Sequence, residues 1–375
     1  MPTRNPAIKY STAFPVHDAA VASFHALAIK VAFIAACALF SFAVIAHDNP
    51  GYSHDEEART SHPDWLTPLR DDVNLSELSL PGTHDTMSFY GGDIVQTQSM
   101  PLPNQLQSGV RVLDIRCRHI ADVFAIHHGV VFQNVFFGDV LNMAVAFLDK
   151  HPGEVIFMHV QEEYTPENNT ETFQETFYKH YWLLYQNHFW NPTLDASNNP
   201  SIRELRGKIV ILQNFAAGTR FGIDGDHFDT QNDWLLNTNW DLYSKWTKVK
   251  NHLKVANDGA SDTLYMNYLS GSTGSFPYFV ASGHSSPQTG APRLLTGQTE
   301  PGWKDSYPDF PRVSCIAGGV CSIAFEGTNV LTYERLGVGY KTRVGSIMAD
   351  FPGPGLIDRL VALNDRFKRN GKRSK

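Results

Sequence analysis

The stretch LSLPGTHDTM, residues 78–87, decides how the rest of the chain is read. A short apolar run ends, Pro81-Gly82 turns the backbone, and His84 and Asp85 follow at once. A strand that stops on polar, titratable residues is how a (β/α) barrel delivers side chains to its C-terminal rim. Two stretches downstream are built alike. In VLDIRCR (112–118) the alternation of a strand puts Asp114 and Arg116 on one face and Leu113 and Ile115 on the other. VFAIHHG (123–129) is again an apolar run that ends in polar residues, His127 and His128.

Further strand-like runs recur at Val155–Val160, Ile209–Leu212, Leu264–Tyr268 and Val344–Met348. Residues 136–150, FFGDVLNMAVAFLDK, carry apolar residues at helical spacing and stop before His151-Pro152-Gly153. Strands alternating with helices predict a parallel sheet, and seven or more strands in about 300 residues predict an α/β fold closed as a somewhat irregular (β/α) TIM-type barrel over 66–370. Residues 47–65 are polar with scattered Pro and His and read as a linker. Residues 280–330 read as a loop-rich insertion, densest in Ser, Gly, Pro and Thr up to 312.

With 375 residues, 42% hydrophobic and 18% charged, the chain is an ordinary globular protein. Its net charge of −7 argues against nucleic acid as a partner. Residues 31–46, VAFIAACALFSFAVIA, carry no charge, and Arg4, Lys9 and Lys30 precede them. This predicts a secretory signal ending near Ala46 or an uncleaved signal anchor, so that the catalytic part is secreted or membrane-anchored facing outward. The sequons Asn74-Leu75-Ser76 and Asn168-Asn169-Thr170 agree with export. In an oxidising compartment Cys315 and Cys321 can close a small loop; otherwise they are two buried thiols. The six basic residues from Arg366 to Lys375 read as a solvated terminus, with a weak anionic-lipid contact as the alternative.

Two histidines and an arginine at the ends of neighbouring strands suit one reaction. Cleaving a phosphodiester needs a base for the attacking hydroxyl, an acid for the leaving alkoxide and a fixed cation on the non-bridging oxygens. Histidine titrates near neutral pH and serves as either, and Arg presents a planar fork to phosphate. Asp85 can orient one imidazole.

PGTHDTM, LDIRCR and HHG, in this order and spacing, resemble the X domain of phosphatidylinositol-specific phospholipase C, in its bacterial-type branch. HPGEVIFMHVQEEY (151–164), RGKIVILQNF (206–215), LYMNYLSGSTGSFPYFVAS (264–282) and VGSIMADF (344–351) extend the resemblance over roughly 65–370. It implies attack by the inositol 2-hydroxyl, giving diacylglycerol and a cyclic inositol phosphate from a membrane lipid. It implies His84 as general base paired with Asp350, His128 as general acid supported by Asp85, and Arg116 on the phosphate. Asp350 can also be read as a strand-end cap. Arg116 stands where calcium-dependent members place their metal, so the resemblance implies no metal and no other cofactor. The bacterial enzymes bring basic residues to the headgroup pocket where this chain has Gln161 and Asn214. Asp241 and Tyr243, in NWDLYSKW, resemble that pocket's Asp and stacking Tyr. His119, His127 and His159 are left as structural.

Two other readings stay open. One is a metal-dependent barrel phosphodiesterase of the glycerophosphodiester or phospholipase D type, which would use acidic ligands after the first His. The other is a non-catalytic barrel that binds lipid headgroups.

Overall fold

The apolar runs form strands because both faces of each are covered, as in sheets flanked by helices. The computed structural model of the chain describes residues 50–369, apart from 193–196, 300–301 and 339–342. The run 31–46 and Cys37 lie outside them, and among the described residues no helix is long and apolar enough to cross a membrane. The strands are β1 (Ser79–Thr83), β2 (Val112–Ile120), β3 (Val123–His128), β4 (Val131–Phe136), β5 (Val155–Glu162), β6 (Lys208–Asn214), β7 (Ile223–Asp224), β8 (Phe228–Gln231), β9 (Leu235–Leu236), β10 (Leu264–Tyr268), β11 (Ser272–Thr273), β12 (Leu295–Gln298), β13 (Arg312–Cys315), β14 (Cys321–Ala324) and β15 (Gly345–Ala349).

Eight of them stand side by side in the order β7-β6-β5-β2-β1-β15-β10-β8, each neighbouring pair parallel. The edge strands β7 and β8 are joined by the short Gly225–His227 turn rather than by a ladder. The wall therefore curls into an irregular (β/α) barrel, as the alternation of strands and helices predicts. The helix Phe137–Lys150 shows how such a crossover is specified. Phe137, Val140, Leu141, Ala144, Phe147 and Leu148 recur at helical spacing and are buried, and Asp139 Oδ2 accepts from Phe136 N at 3.1 Å to satisfy the first turn.

Register sets the height of every side chain at the rim. Arg116 pairs with Gln161, and Gln161 with Asn214; one layer below, Asp114 pairs with His159 and His159 with Leu212. Thr83 pairs with Ala349, so His84 and Asp350 leave their strands at the same level.

Three expectations are corrected. β3 is not a wall strand: it returns antiparallel along β2, and β4 pairs antiparallel with it. The cause is a two-residue turn, Ala121 and Asp122, both with positive φ (49° and 60°), the backbone of a tight hairpin turn. The 280–330 segment is not all loop, since β12, β14 and β13 form a three-stranded antiparallel sheet, and Cys315 and Cys321 are joined by a disulfide across the β13–β14 pair. Nor is 47–65 a free linker over its described part. Tyr52 and Leu66, just beyond it, are fully buried, Tyr52 bridges to Pro352, and Arg111 Nη2 donates to the carbonyls of His62 and Pro63.

Candidate active site

The residues around His84 build one connected charge network. His84 emerges after Pro81-Gly82, its backbone N–H on Ala349 O at 3.0 Å. Its Nδ1 is 2.7 Å from Asp350 Oδ1, and its Nε2 is 2.8 Å from an Arg116 Nη2. Arg116 can only donate, so Nε2 carries the lone pair and Nδ1 carries the proton given to Asp350. Tyr268 meets the ring edge-on, with centroids 5.9 Å apart. Gln98 Nε2 donates to His84 O and Ala349 O, tying together the loops that carry His84 and Asp350.

Arg116 lies among three carboxylates: Asp114 at 3.3 Å, Asp85 at 3.8 Å and Glu163 at 3.8 Å. Burial opposes its charge, but Asp114, Asp85 and Glu163 outweigh that and keep the guanidinium protonated. Asp114 is itself fully buried. Burial would raise its carboxyl, yet Arg116 and the Nδ1 of His159, 3.0 Å away, hold it far below the ordinary range.

The second imidazole meets a second carboxylate. His128 Nδ1 lies 3.1 Å from Asp85 Oδ2 and 3.1 Å from Ser88 Oγ. Ser88 Oγ donates to Val95 O, so it is free to accept from Nδ1. Asp85 has φ of 41°, an unusual backbone held by its N–H on Asp114 Oδ2 at 3.1 Å. Burial pushes the Asp85 carboxyl up to about 7 against the pull of Arg116. Burial, then Arg116, lower His128 to about 4. Between those values the Asp85 carboxyl keeps its proton and the His128 imidazole is neutral. Asp350 is likewise raised by burial, against the opposing charge of His84.

These groups open on a cleft with two lobes. The larger, about 300 Å³, is lined by His84, Arg116, His128, Glu163, Trp234 and Asp350 among others. The smaller, about 160 Å³, is lined by His159, Gln161, Asn214, Asp226, Thr230 and Asn232 among others. Arg116, Gln161 and Asn232 border both. Asn214 Nδ2 donates to Gln161 Oε1 at 3.3 Å, and Gln161 Nε2 to Glu163 Oε2 at 3.3 Å. Glu163 Oε1 also accepts from Gly129 N at 2.7 Å, holding the loop that carries His128.

The structure thus brings together His84, Asp85, Arg116, His128, Asp350, Gln161 and Asn214. It does not bring Asp241 and Tyr243 to them. Asp241 Oδ2 caps a turn, accepting from Asn237 N and Thr238 N at 2.9 Å each. Tyr243 packs its ring edge-on against Tyr307 and Phe310. The places expected for them are taken by Asn232 and Trp234, which share the polar-x-aromatic spacing and follow directly from β8. His159, expected to be structural, also lines the smaller lobe of the cleft, its Nδ1 held by Asp114.

An α/β barrel whose rim holds two imidazoles, each backed by a buried carboxylate, with a guanidinium between them, defines an acid–base site for chemistry at an oxyanion. Residues 76–215 match the family model described as phosphatidylinositol-specific phospholipase C, X domain. The 1-phosphatidylinositol phosphodiesterase of Staphylococcus aureus (strain Newman) is 33% identical over 285 residues, 67% of this chain and 90% of that one. The Listeria monocytogenes protein of the same name is 33% identical over 229 residues, 56% of this chain and 69% of its own. Human PI-PLC X domain-containing protein 1 is 25% identical over 193 residues, 41% and 57% of the two chains. The fold matches the solved structure of phosphatidylinositol-specific phospholipase C from Listeria monocytogenes at 24% identity with a TM-score of 0.59, over 82% of this chain and 100% of that one. The chain belongs to the phosphatidylinositol-specific phospholipase C X domain family.

Proposed function

We propose that the chain is a phosphoric diester hydrolase/lyase that cleaves a phosphatidylinositol-type phospholipid into diacylglycerol and a cyclic inositol phosphate, by attack of the inositol's own hydroxyl. The observation that carries this reading is the pairing of His84 with both Asp350 and Arg116 on the cavity that also holds His128. His84 presents the Nε2 lone pair to the cavity and takes the proton of the attacking hydroxyl, while Asp350 steadies the imidazolium that forms. Arg116 then has a non-bridging phosphate oxygen to bond in place of His84. His128, its Nδ1 turned to Asp85 and Ser88, leaves Nε2 to protonate the departing alkoxide. The relatives named 1-phosphatidylinositol phosphodiesterase support the substrate class.

The reaction proposed runs without a metal. The carboxylates that could hold a cation, Asp85, Asp114 and Glu163, are already gathered around Arg116. Substrate enters from a membrane surface: Val130 (65% exposed), Trp234 (51%) and Phe276 (43%) stand beside or among the residues that line the mouth. The apolar run 31–46 and the Cys315–Cys321 disulfide support an exported, outward-facing enzyme. Of the two sequons, Asn168 is exposed, whereas Ser76 of the other is buried on Ser261 O.

The test is headgroup release from phosphatidylinositol and phosphatidylcholine vesicles in the presence of chelator. Inositol phosphate is expected from the first and nothing from the second, and His84→Ala is expected to remove the activity. Chelator-sensitive turnover, or release of choline, would replace this reading with the metal-dependent one. Vesicle binding with no turnover would leave a headgroup-binding barrel.

A further inference from the structure

Asp350 can serve His84 only if its carboxyl points across the rim, and the residue that follows it decides that. Phe351 has φ of 47°, a left-handed backbone that a bulky side chain adopts only when its surroundings force it. Three things hold Phe351. Its N–H donates to Thr97 O at 2.9 Å. Asn329 Nδ2 donates to Asp350 O at 2.7 Å. The third hold comes from far away in sequence, from the segment 50–55 that precedes the barrel.

We propose that Pro50–Asp55 is a positioning strap that fixes Asp350 against His84 by locking the turn at Phe351. Ser53 N donates to Phe351 O at 3.1 Å, Tyr52 bridges to Pro352, Gly353 N donates to Gly51 O at 2.9 Å, and Gly355 N to Pro50 O at 2.7 Å. The Phe351 ring is held on two sides. His54 stacks on it with centroids 4.8 Å apart, and Tyr52 meets it edge-on at 5.9 Å. The strap is pinned in turn from outside the rim. Tyr52 Oη donates to Pro287 O at 2.6 Å, His54 N to Thr289 Oγ1 at 2.9 Å, and Ser99 Oγ to Asp55 O at 3.1 Å. Tyr52 is fully buried, so this is packed structure and not a tether lying on the surface.

The strap acts through Asp350 and touches no reacting atom, so it positions rather than catalyses. It rests on the reading of His84 as the base only for its effect on rate; its effect on the His84–Asp350 hydrogen bond does not depend on that reading. The experiment therefore reads both. In the full chain, the imidazole N–H shared between His84 and Asp350 is followed as a downfield proton resonance, assigned by its loss in Asp350→Asn. Steady-state kinetics on phosphatidylinositol vesicles run alongside. Tyr52→Ala is expected to lose or broaden the resonance and to lower kcat by about 10-fold with KM within about twofold, because small misplacements of an acting group cost rate rather than binding. Tyr52→Phe keeps the ring on Phe351 and is expected to restore both. If Tyr52→Ala does not fold, the half-buried His54→Ala carries the test, with a few-fold fall in kcat. Folded Tyr52→Ala or His54→Ala protein with an unchanged resonance and unchanged kcat overturns the strap. A lost resonance with kcat retained keeps the strap and overturns His84 as the base.

Discussion

The two lobes of the cleft differ in what their polar groups carry. The larger lobe gathers the titratable groups that meet one another, beside neutral residues such as Thr97, Ser270 and Ser272: His84 to Asp350 and Arg116, Arg116 to Asp114, His128 against Asp85. The smaller lobe offers Gln161, Asn214, Thr230 and Asn232, with Asp226 and His159 as its own titratable groups and Arg116 at the shared border. Low-dielectric, pre-bonded charge is what proton transfer and an oxyanion require. Neutral amides and hydroxyls are what a polyol requires, since they exchange hydrogen bonds with hydroxyl groups without a desolvated charge to repay. The proposed function gives chemistry and choice of substrate to different sides of one cavity, with Arg116, Gln161 and Asn232 bordering both.

The comparison breaks most visibly at the imidazoles. His84→Ala and His128→Ala are each expected to lower kcat by about 10²–10⁴-fold, the usual contribution of a positioned acid or base, with KM little changed. Equal losses in kcat and in 1/KM would mean that the larger lobe binds as much as it reacts. Arg116→Lys comes next, at about 10²–10³-fold, because an ammonium can replace the charge but not the planar fork offered to phosphate.

Proton accounting gives the third prediction. Asp85 keeps its proton up to about 7, beside an imidazole, His128 at 3.1 Å, that is neutral above about 4. The acid is present only while that proton stays, so kcat/KM is expected to fall as pH rises through about 7, by about 10-fold per unit. Asp85→Asn removes the carboxylate that helps hold the proton near His128. The basic limb should then move to lower pH. A limb that stays near 7 in this variant would detach Asp85 from the acid.

The effects expected on binding are smaller and fall on KM. Trp234→Ala, at the mouth of the larger lobe, should raise KM about 10-fold, as loss of a ring-stacking surface does. Gln161→Ala and Asn214→Ala should each cost only a few-fold in kcat/KM, the worth of a neutral hydrogen bond of about 0.5–1.5 kcal/mol. A fall in kcat for either amide variant would merge the two lobes into one.

Much of this was legible in the sequence, for a physical reason. Wall strands buried on both faces must be continuous apolar runs, so β1, β2, β5, β6, β10 and β15 stand out, and with them the polar residues at their ends. β7 and β8 are two and four residues long, and so short a strand leaves little pattern. The β2–β3 hairpin stayed hidden because its turn is Ala121-Asp122, without the Asn-Gly signature, so β3 passed for a wall strand. Asp241 and Tyr243 were misplaced because the same polar-x-aromatic spacing occurs at Asn232 and Trp234, and spacing alone does not say which pair ends a strand. The segment 47–65 reads as a linker because its apolar residues are few; Tyr52 is buried by the barrel's own loops rather than by a pattern of its own.

The central claim is that His84 drives attack by a hydroxyl of the substrate itself while Arg116, not a metal, holds the phosphate. Phosphorus NMR of phosphatidylinositol vesicles turned over in the presence of chelator tests it most directly. The account predicts a cyclic inositol phosphate as the first phosphorus product, at the same rate with and without chelator, and none with His84→Ala. An acyclic phosphate formed from the start, or turnover that stops when chelator is added, would contradict it.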